Sequence, residues 1–335
     1  FMSTRPAASQ KSRSEGGAEQ PAWLRHICDP RLVLSAYLLA AAVVTLIKLA
    51  PGEFVENGHV YQPIQNFAIF RNSFYHLIHT QDLYAAYPAE QWDLFRYSPT
   101  FSLLFAPFAL LPYAAGVIFW NIVNAAVLFA AVWAIPLLNA QKRALALWFS
   151  FLALLTALSN AQSNALIAGL MIGAYALAER GRPKASGLLI VLAVCVKPFG
   201  IFALVPCVLV RGREKLIGWT AAWGLAAAVL PWVVVSPSRL LTLYRNWFAT
   251  MNEFNKSRPG MSVMGLLSTW FGWNPPNNAV IGIGILILVA VALLGASRKQ
   301  HDSAQFRLMT AASAIIFVTI FNYAAESPKI GRAHV

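Results

Sequence analysis

Long apolar segments alternate with short polar ones along most of the chain. Seven of the apolar segments are close to the roughly 20 residues that an α-helix needs to cross a lipid bilayer. They are Arg31 to Ala50, Ala115 to Leu137, Arg143 to Ser159, Asn164 to Leu177, Gly218 to Val235, Ala279 to Gly295 and Phe306 to Phe321. The pattern predicts an all-α fold, a polytopic bundle of helices integral to a membrane.

Two further apolar segments do not fit a simple span. Ser98 to Leu111 is short and contains Pro107, whereas Ala185 to Val210 is too long and is interrupted by Lys197 and Pro198. A charge at bilayer depth costs about 3 kcal/mol or more, so it usually faces a protein interior, a water-filled cavity or a bound counter-charge. We therefore predict that residues 185–210 form two half-length helices that meet at Lys197.

Basic residues occur in small clusters between the apolar segments, and the positive-inside rule places such clusters in the cytoplasm. The clusters Arg180 to Lys184 and Arg211 to Lys215 flank the broken segment. Both of its ends are then expected in the cytoplasm, with Lys197 facing outward. The two large loops, residues 51–97 and 236–278, are expected outside as well.

One crossing remains ambiguous in this topology. Residues 98–111 and 115–137 look like two crossings, but an outer loop 51–97 and an inner Lys142–Arg143 pair require an odd number. Either residues 98–111 are re-entrant or the basic pair is an exception, and the sequence leaves both possibilities open.

The two outer loops differ in charge, since loop 51–97 is mainly acidic and loop 236–278 mainly basic. This contrast suits a site that binds phosphate and carries out acid–base chemistry, but it also suits two solvated loops. The helical periodicity of Phe67 to Ile78 predicts an amphipathic helix along the membrane interface. His76 and His79 on it are expected to be interfacial polar residues and not metal ligands.

Composition excludes several other classes of protein. The 335 residues are 58% hydrophobic and only 12% charged, which is typical of a membrane protein. The net charge of +13 comes from scattered clusters and not from one basic face, so we expect no nucleic-acid partner. The three cysteines show no CxxC or Cys/His spacing, and we predict neither disulfides nor a metal site.

The ends of the chain differ from its middle. Residues 1–29 are predicted to be a disordered cytoplasmic tail, because their first 22 residues are polar and lack an apolar core. Residues 30–328 would form the transmembrane domain. Phe1 precedes a plausible start at Met2, and residues 329–335 are expected to be a non-native tail, so that the native protein continues beyond Pro328 and the chain is C-terminally truncated.

Several short motifs follow one another along the chain in a characteristic order. They are Asn66–Phe67, Asp82–Leu83–Tyr84, Arg96–Tyr97–Ser98–Pro99, residues 160–164, and Lys197–Pro198. In order and spacing the chain resembles glycosyltransferase family 87 over roughly residues 31–328. The resemblance implies the C-type glycosyltransferase fold in a bacterial inner membrane, with the active face on the extracytoplasmic side. It also implies a sugar donor carried on a polyprenyl phosphate, and no nucleotide or other cofactor.

The resemblance also suggests catalytic residues. The family's usual pattern has an aspartate as the catalytic acidic residue where this chain has Asn66, which cannot accept a proton as a carboxylate does. Glu53, Glu56 or Asp82 would then serve instead, or the reaction needs no protein base. Asp82 matches the family's loop motif, although a capping or turn role suits it equally well.

The remaining matches suggest a binding site for the donor. Lys197 would pair with the donor phosphate, or with a carboxylate that holds the half-helices together. Arg96 is either a second phosphate ligand or a residue that snorkels to the interface. Gln162 and Asn164 carry amides suited to sugar hydroxyls or to helix capping, and Tyr97 would stack on a sugar or belong to the aromatic belt.

The expected function is therefore transfer of a hexose, with mannose as the first candidate, from a polyprenyl-phosphate donor to a lipid or glycan acceptor outside the cytoplasm. The alternative is a non-catalytic polyprenyl-lipid binder or transporter on the same scaffold, which the asparagine at position 66 favours. Transporters often show paired broken helices in two halves. The chain has no second Lys–Pro break, which favours the enzyme.

Overall fold

The computed structural model describes residues 21–56, 58–254, 262–298 and 302–321. Within these residues the chain forms 15 α-helices, two 3-10 helices and one two-stranded antiparallel sheet. The helices are α1 (Ala22–Ile27), α2 (Pro30–Leu49), α3 (Gln65–Ile78), α4 (Pro99–Leu104), α5 (Ala106–Ala109), α6 (Tyr113–Trp133), α7 (Ala140–Ser159), α8 (Asn164–Glu179), α9 (Pro183–Val196), η1 (Pro198–Ala203), α10 (Leu204–Cys207), α11 (Arg213–Val229), η2 (Leu230–Val233), α12 (Pro237–Phe254), α13 (Val263–Phe271), α14 (Asn277–Ser297) and α15 (Ala304–Ile320). The strands are β1 (Phe54–Glu56) and β2 (His59–Tyr61).

Five helical segments of the described chain are long and apolar enough to cross a membrane. They are α2, α6, α7, α14 and the continuous segment formed by α11 and η2. The remaining predicted spans, in α8 and α15, are apolar helices of 16 and 17 residues. The all-α polytopic membrane bundle predicted from the sequence is therefore confirmed.

Small polar residues fix the starts of the long helices. Asp29 accepts a hydrogen bond from the Arg31 backbone N–H at 2.7 Å, and Pro30 occupies the first helical position of α2. Asn139 caps α7 in the same way through the Lys142 N–H. These caps satisfy backbone donors that have no partner inside the helix.

The segment 98–111 does not cross the bundle. It forms α4, of six residues, and α5, of four. Even in line with each other, the two helices span only residues 99–109, about 16 Å of helix against a hydrocarbon core of about 30 Å. A single crossing, α6, therefore joins loop 51–97 to Lys142, which supports the re-entrant alternative.

The segment 185–210 folds back at Lys197, as predicted. A Cβ atom on Gly200 would lie 2.5 Å from the backbone carbon of Ala193, so η1 runs directly against the last turns of α9. The hydroxyl of Ser186, near the start of α9, is 4.0 Å from the sulfur of Cys207, at the end of α10. The two halves are thus antiparallel, and Lys197, in extended conformation, lies at the tip.

The amphipathic helix predicted around residues 67–78 exists as α3, but its position differs from the prediction. Phe67, Phe70 and Leu77 are buried, and so are Ser73 and His76 on other faces of the helix. Protein therefore covers α3, and its apolar side does not lie against lipid. The reason is an aromatic core formed with neighbouring helices, in which Phe67 and Phe70 pack against Phe101, Phe105, Tyr113 and Trp120.

Two ends of the bundle can be distinguished. We call the end that carries loop 51–97, residues 160–164 and Lys197 the loop end, and the end that carries residues 180–184 and 211–215 the basic end. A buried ion pair lies toward the basic end, where Arg307 Nε is 2.6 Å from Glu179 Oε1. Helix α1 lies within the segment predicted as a disordered tail, a helix that the sequence reasoning missed. Residues 1–20, 57, 255–261, 299–301 and 322–335 lie outside the described residues.

Candidate functional site

The segment that joins α7 to α8, residues 160–164, and the first turn of α8 are held in place by buried side chains of α6. Trp120 donates a hydrogen bond from Nε1 to the carbonyl oxygen of Ala161 at 2.9 Å. Asn124 Oδ1 accepts one from the backbone N–H of Leu166 at 3.0 Å. Buried bonds of this kind fix one backbone conformation, because a released partner would remain unsatisfied.

Asn66 on α3 holds the same loop from the other side. Its Nδ2 donates to the carbonyl oxygen of Asn160 at 2.9 Å. The next residue, Ala161, has φ = 46°, a left-handed conformation that costs a non-glycine residue about 1–2 kcal/mol. Such strain persists only where the surroundings impose it. The structure thus places Asn66 as a residue that positions the loop.

Lys197, Asn164 and Gln162 form one chain of hydrogen bonds at the loop end. Lys197 Nζ donates to Asn164 Oδ1 at 2.9 Å, and Asn164 Nδ2 donates to Gln162 Oε1 at 2.9 Å. Asn164 is the first residue of α8, and its side chain is directed to Lys197 and Gln162 instead of capping the helix. The structure therefore brings together three of the residues predicted to bind the donor. We call them the Lys197 group.

The end of loop 51–97 is attached directly beside Lys197. Ser98 donates from Oγ to the carbonyl oxygen of Cys195, two residues before Lys197, at 2.6 Å. Arg96 precedes this bond, and its guanidinium forms two hydrogen bonds with the Asp93 carboxylate, at 2.7 and 2.8 Å. Arg96 thus lies near the Lys197 group with its charge paired to a carboxylate of the same loop.

Tyr97 belongs to the aromatic core. Its ring stacks on Phe101 with 4.9 Å between centroids and meets Phe70 edge-on at 4.8 Å. The Tyr84 hydroxyl donates to the Tyr97 carbonyl oxygen at 3.0 Å, and burial raises the pKa of Tyr84 well above its ordinary value. Tyr84 therefore stays protonated and keeps this part of the loop attached.

The three candidate carboxylates occupy separate places at the loop end. Asp82 accepts from the Tyr84 backbone N–H at 3.1 Å and from Asn246 Nδ2 at 3.3 Å, which is the turn role considered from the sequence. Glu53 accepts from Gln62 Nε2 at 2.6 Å, and Glu56 ends strand β1. Within the described residues, none of the three bonds to the Lys197 group.

Comparison with known proteins assigns the family. The family model described as Glycosyltransferase family 87 matches residues 95–321. The chain belongs to glycosyltransferase family 87. Searches of curated proteins and of solved structures found no match.

Membership of family 87 establishes a membrane glycosyltransferase, which takes its sugar from a lipid-linked donor. The matched residues include the Lys197 group, Arg96 and Tyr97. They begin at Phe95 and so leave out Asn66 and the three candidate carboxylates. The family match therefore covers the residues predicted to bind the donor and does not cover the candidate catalytic ones.

Sequence reasoning missed other polar residues at the loop end of this family 87 protein. Trp120 and Asn124 gave no signal, because their partners lie 41 and 42 residues away. His76, expected as a polar residue at the membrane interface, is instead buried, and its Nε2 lies 2.9 Å from Glu90 Oε2. The spacing of 14 residues hid that pair. In the part of the chain that the structure describes, no three His, Cys, Asp or Glu side chains cluster as metal ligands would.

Proposed function

We propose that this protein transfers a hexose, with mannose as the first candidate, from a polyprenyl-phosphate donor to a lipid or glycan acceptor on the extracytoplasmic side of a bacterial inner membrane. One observation carries the proposal. Lys197 lies at the tip of a broken helical hairpin and bonds to Asn164 at the loop end.

The charge of Lys197 suits the leaving group of such a reaction. When the bond between the sugar and its phosphate breaks, negative charge develops on the phosphate oxygen. An ammonium group held next to that oxygen stabilises the developing charge. The ammonium of Lys197 donates to Asn164 Oδ1 at 2.9 Å, which fixes its position beside the amides. Arg96, paired with Asp93, is the weaker of the two proposed phosphate ligands.

The amides beside Lys197 suit the sugar. Asn164 and Gln162 each carry one oxygen acceptor and two N–H donors, which match the hydroxyl groups of a hexose. Their mutual hydrogen bond fixes both side chains next to the phosphate-binding charge. Loop 160–164 therefore selects the sugar, and Trp120, Asn124 and Asn66 hold the loop.

The chemical step is a substitution at the anomeric carbon. The acceptor hydroxyl oxygen forms a bond to that carbon, the carbon–oxygen bond to phosphate breaks, and its electron pair leaves with the polyprenyl phosphate. The hydroxyl proton passes to a carboxylate of loop 51–97. Asp82, Glu53 and Glu56 are the candidates, and Asn66 positions loop 160–164.

The distribution of basic residues supports the proposed orientation. Arg180, Arg182 and Lys184 lie at one end of the bundle together with Arg211 and Arg213, and the Lys197 group lies at the other. Because clustered Lys and Arg mark cytoplasmic loops, the loop end faces away from the cytoplasm.

A second candidate function is a non-catalytic binder or transporter of polyprenyl lipids. The observation that favours it is the hydrogen bond that Asn66 donates to the carbonyl oxygen of Asn160. With this bond, residue 66 holds the loop in place and does not act as a catalytic base. The two functions share the phosphate-binding lysine and differ in whether a bond to the sugar breaks.

Radiolabelled polyprenyl-phosphate mannose, supplied to membranes that contain the protein, distinguishes the two. Transfer of label to lipid or glycan, lost in Lys197→Met and in one of Asp82→Asn, Glu53→Gln and Glu56→Gln, is the result we expect. Donor binding without any transfer, with a range of labelled polyprenyl-phosphate hexoses, would establish the binder and contradict the proposed transferase.

A further inference from the structure

A pocket opens at the basic end of the bundle, between the start of α9 and the neighbouring helix α11. Its cavity volume is about 410 Å³. Two basic residues and four largely apolar ones line it, namely Arg182, Pro183, Lys184, Ala185, Leu188 and Trp223. The pocket therefore combines positive charge with apolar walls, and it lies at the opposite end of the bundle from the Lys197 group.

Contacts between the two helices build the pocket. Helices α9 and α11 meet at Gly187, where a Cβ atom would lie 2.9 Å from the Thr220 backbone nitrogen. Trp223 donates from Nε1 to the Lys184 carbonyl oxygen at 3.1 Å, which fixes the indole as one wall. Because this bond uses the only polar group of the indole, the Trp223 ring offers the pocket an apolar surface. Lys184 Nζ lies 5.0 Å from the centroid of the Trp219 ring, a cation–π contact that holds the ammonium in place.

The two basic side chains of the pocket suit an anion. Both Arg182 and Lys184 are exposed and, in the part of the chain that the structure describes, neither forms an ion pair with a carboxylate. A guanidinium binds a phosphate through two parallel hydrogen bonds, and an ammonium adds a compact point charge. The ligand chemistry that fits this pair is a phosphate group.

The surroundings of the pocket favour a lipid as the carrier of that phosphate. The segment formed by α11 and η2 is long and apolar enough to cross a membrane, and only 11% of it is buried inside the bundle. Most of its surface therefore faces lipid, and the exposed Trp219 lies near its basic end, as is typical of the membrane interface. Basic pockets between transmembrane helices at this level bind anionic headgroups. A soluble phosphate would gain nothing from the apolar walls.

We propose that this pocket binds an anionic glycerophospholipid, with the phosphodiester at Arg182 and Lys184 and the first acyl carbons against Ala185, Leu188 and Trp223. The bound lipid bridges α9, the first arm of the broken hairpin, to α11, and so stabilises the folded protein. The pocket takes no part in binding the donor, whose phosphate lies at the loop end. The inference does not depend on sugar transfer.

Titration of the full chain in detergent with phosphatidylglycerol, followed by native mass spectrometry, tests the site. Each basic residue near a headgroup contributes about five-fold in affinity, so the double variant Arg182→Gln/Lys184→Gln should raise the Kd about thirty-fold. Lys142→Gln/Arg298→Gln is the matched control. Both of its side chains are exposed at the basic end and do not line the pocket, and the same charge is lost. Its Kd should equal that of the wild type.

A filling variant separates the pocket from a general attraction between charges. Ala185→Phe keeps both basic residues and occupies the apolar part, so we expect the Kd for phosphatidylglycerol to rise about ten-fold as acyl contact is lost. Phosphatidylglycerol should raise the melting temperature of the wild type but not that of either pocket variant.

Two other probes identify the ligand. Phosphatidylcholine, which carries a cation beside its phosphate, and soluble glycerol phosphate should both bind at least ten-fold more weakly than phosphatidylglycerol. An unchanged Kd in Ala185→Phe, or an equal loss in the two charge variants, would overturn the pocket and show unspecific attraction. Equal binding of glycerol phosphate would overturn the lipid as its ligand.

Discussion

Replacing Asn66 by aspartate removes a hydrogen bond that shapes the site. In the structure Asn66 Nδ2 donates to the carbonyl oxygen of Asn160 at 2.9 Å. An ionised carboxylate has only acceptor atoms, and the usual aspartate pKa of about 3.9 keeps it ionised at neutral pH. The aspartate would therefore place an oxygen against an oxygen.

The size of the effect follows from the groups involved. Losing the hydrogen bond costs about 1 kcal/mol, and leaving the carbonyl of Asn160 unsatisfied beside a negative charge adds a similar amount. A total of about 2 kcal/mol shifts the equilibrium between the held and the released loop roughly thirty-fold. Asn66→Ala removes the donor without adding charge, so we expect about 1 kcal/mol, or roughly five-fold.

Two measurements on the same variants test this reasoning. Hydrogen–deuterium exchange of peptides that cover residues 158–166 should show faster exchange in Asn66→Ala and faster still in Asn66→Asp. Transfer kinetics should show a higher KM for the donor in the same order. An Asn66→Asp enzyme with a raised kcat and unchanged exchange would refute the positioning role and show that a carboxylate is functional at this position.

Two further substitutions test the framework that carries the site. Gly200→Ala would place a Cβ atom 2.5 Å from the Ala193 backbone and should lower the unfolding free energy by about 1–3 kcal/mol in detergent. Gly218→Ala, in open space within α11, is the control and should raise the unfolding free energy by up to about 1 kcal/mol. Equal melting temperatures of the two variants would contradict the close hairpin. Glu179→Gln removes the charge of one partner in an ion pair whose side chains are only 6% (Glu179) and 15% (Arg307) exposed. It should lower the unfolding free energy by about 3–5 kcal/mol in the same assay. An unchanged melting temperature would show that Arg307 is solvated and would contradict the buried pair.

The sequence predicted the spans and the broken helix because both are local signals. A 20-residue apolar run is long enough to identify a span by itself, and a lysine followed by proline inside such a run marks a break. The fold-back at Lys197 followed from the basic clusters on both sides. The pairing of Arg96 with Asp93 was also open to prediction, since three residues separate them.

Contacts between distant parts of the chain could not be predicted in this way. The pattern of α3 gave its periodicity but not its partner, because an apolar stripe fits lipid as well as the rings of Phe101 and Trp120. The hydrogen bond from Asn66 to Asn160 joins residues 94 positions apart. This contact is the basis of the positioning role that we propose for Asn66, and the sequence alone does not show it.

Binding of polyprenyl phosphate without a sugar tests the role of Lys197 most directly. Lys197→Met keeps the length of the side chain and removes the charge, and Lys184→Met does the same at the basic end, where Lys184 Nζ lies 5.0 Å from the Trp219 ring centroid. A charge-assisted hydrogen bond contributes about 1.5–3 kcal/mol, so we predict a Kd about ten- to hundred-fold higher for Lys197→Met and an unchanged Kd for Lys184→Met. An unchanged Kd in Lys197→Met, or an equal loss in both variants, would contradict the assignment of Lys197 as the phosphate ligand.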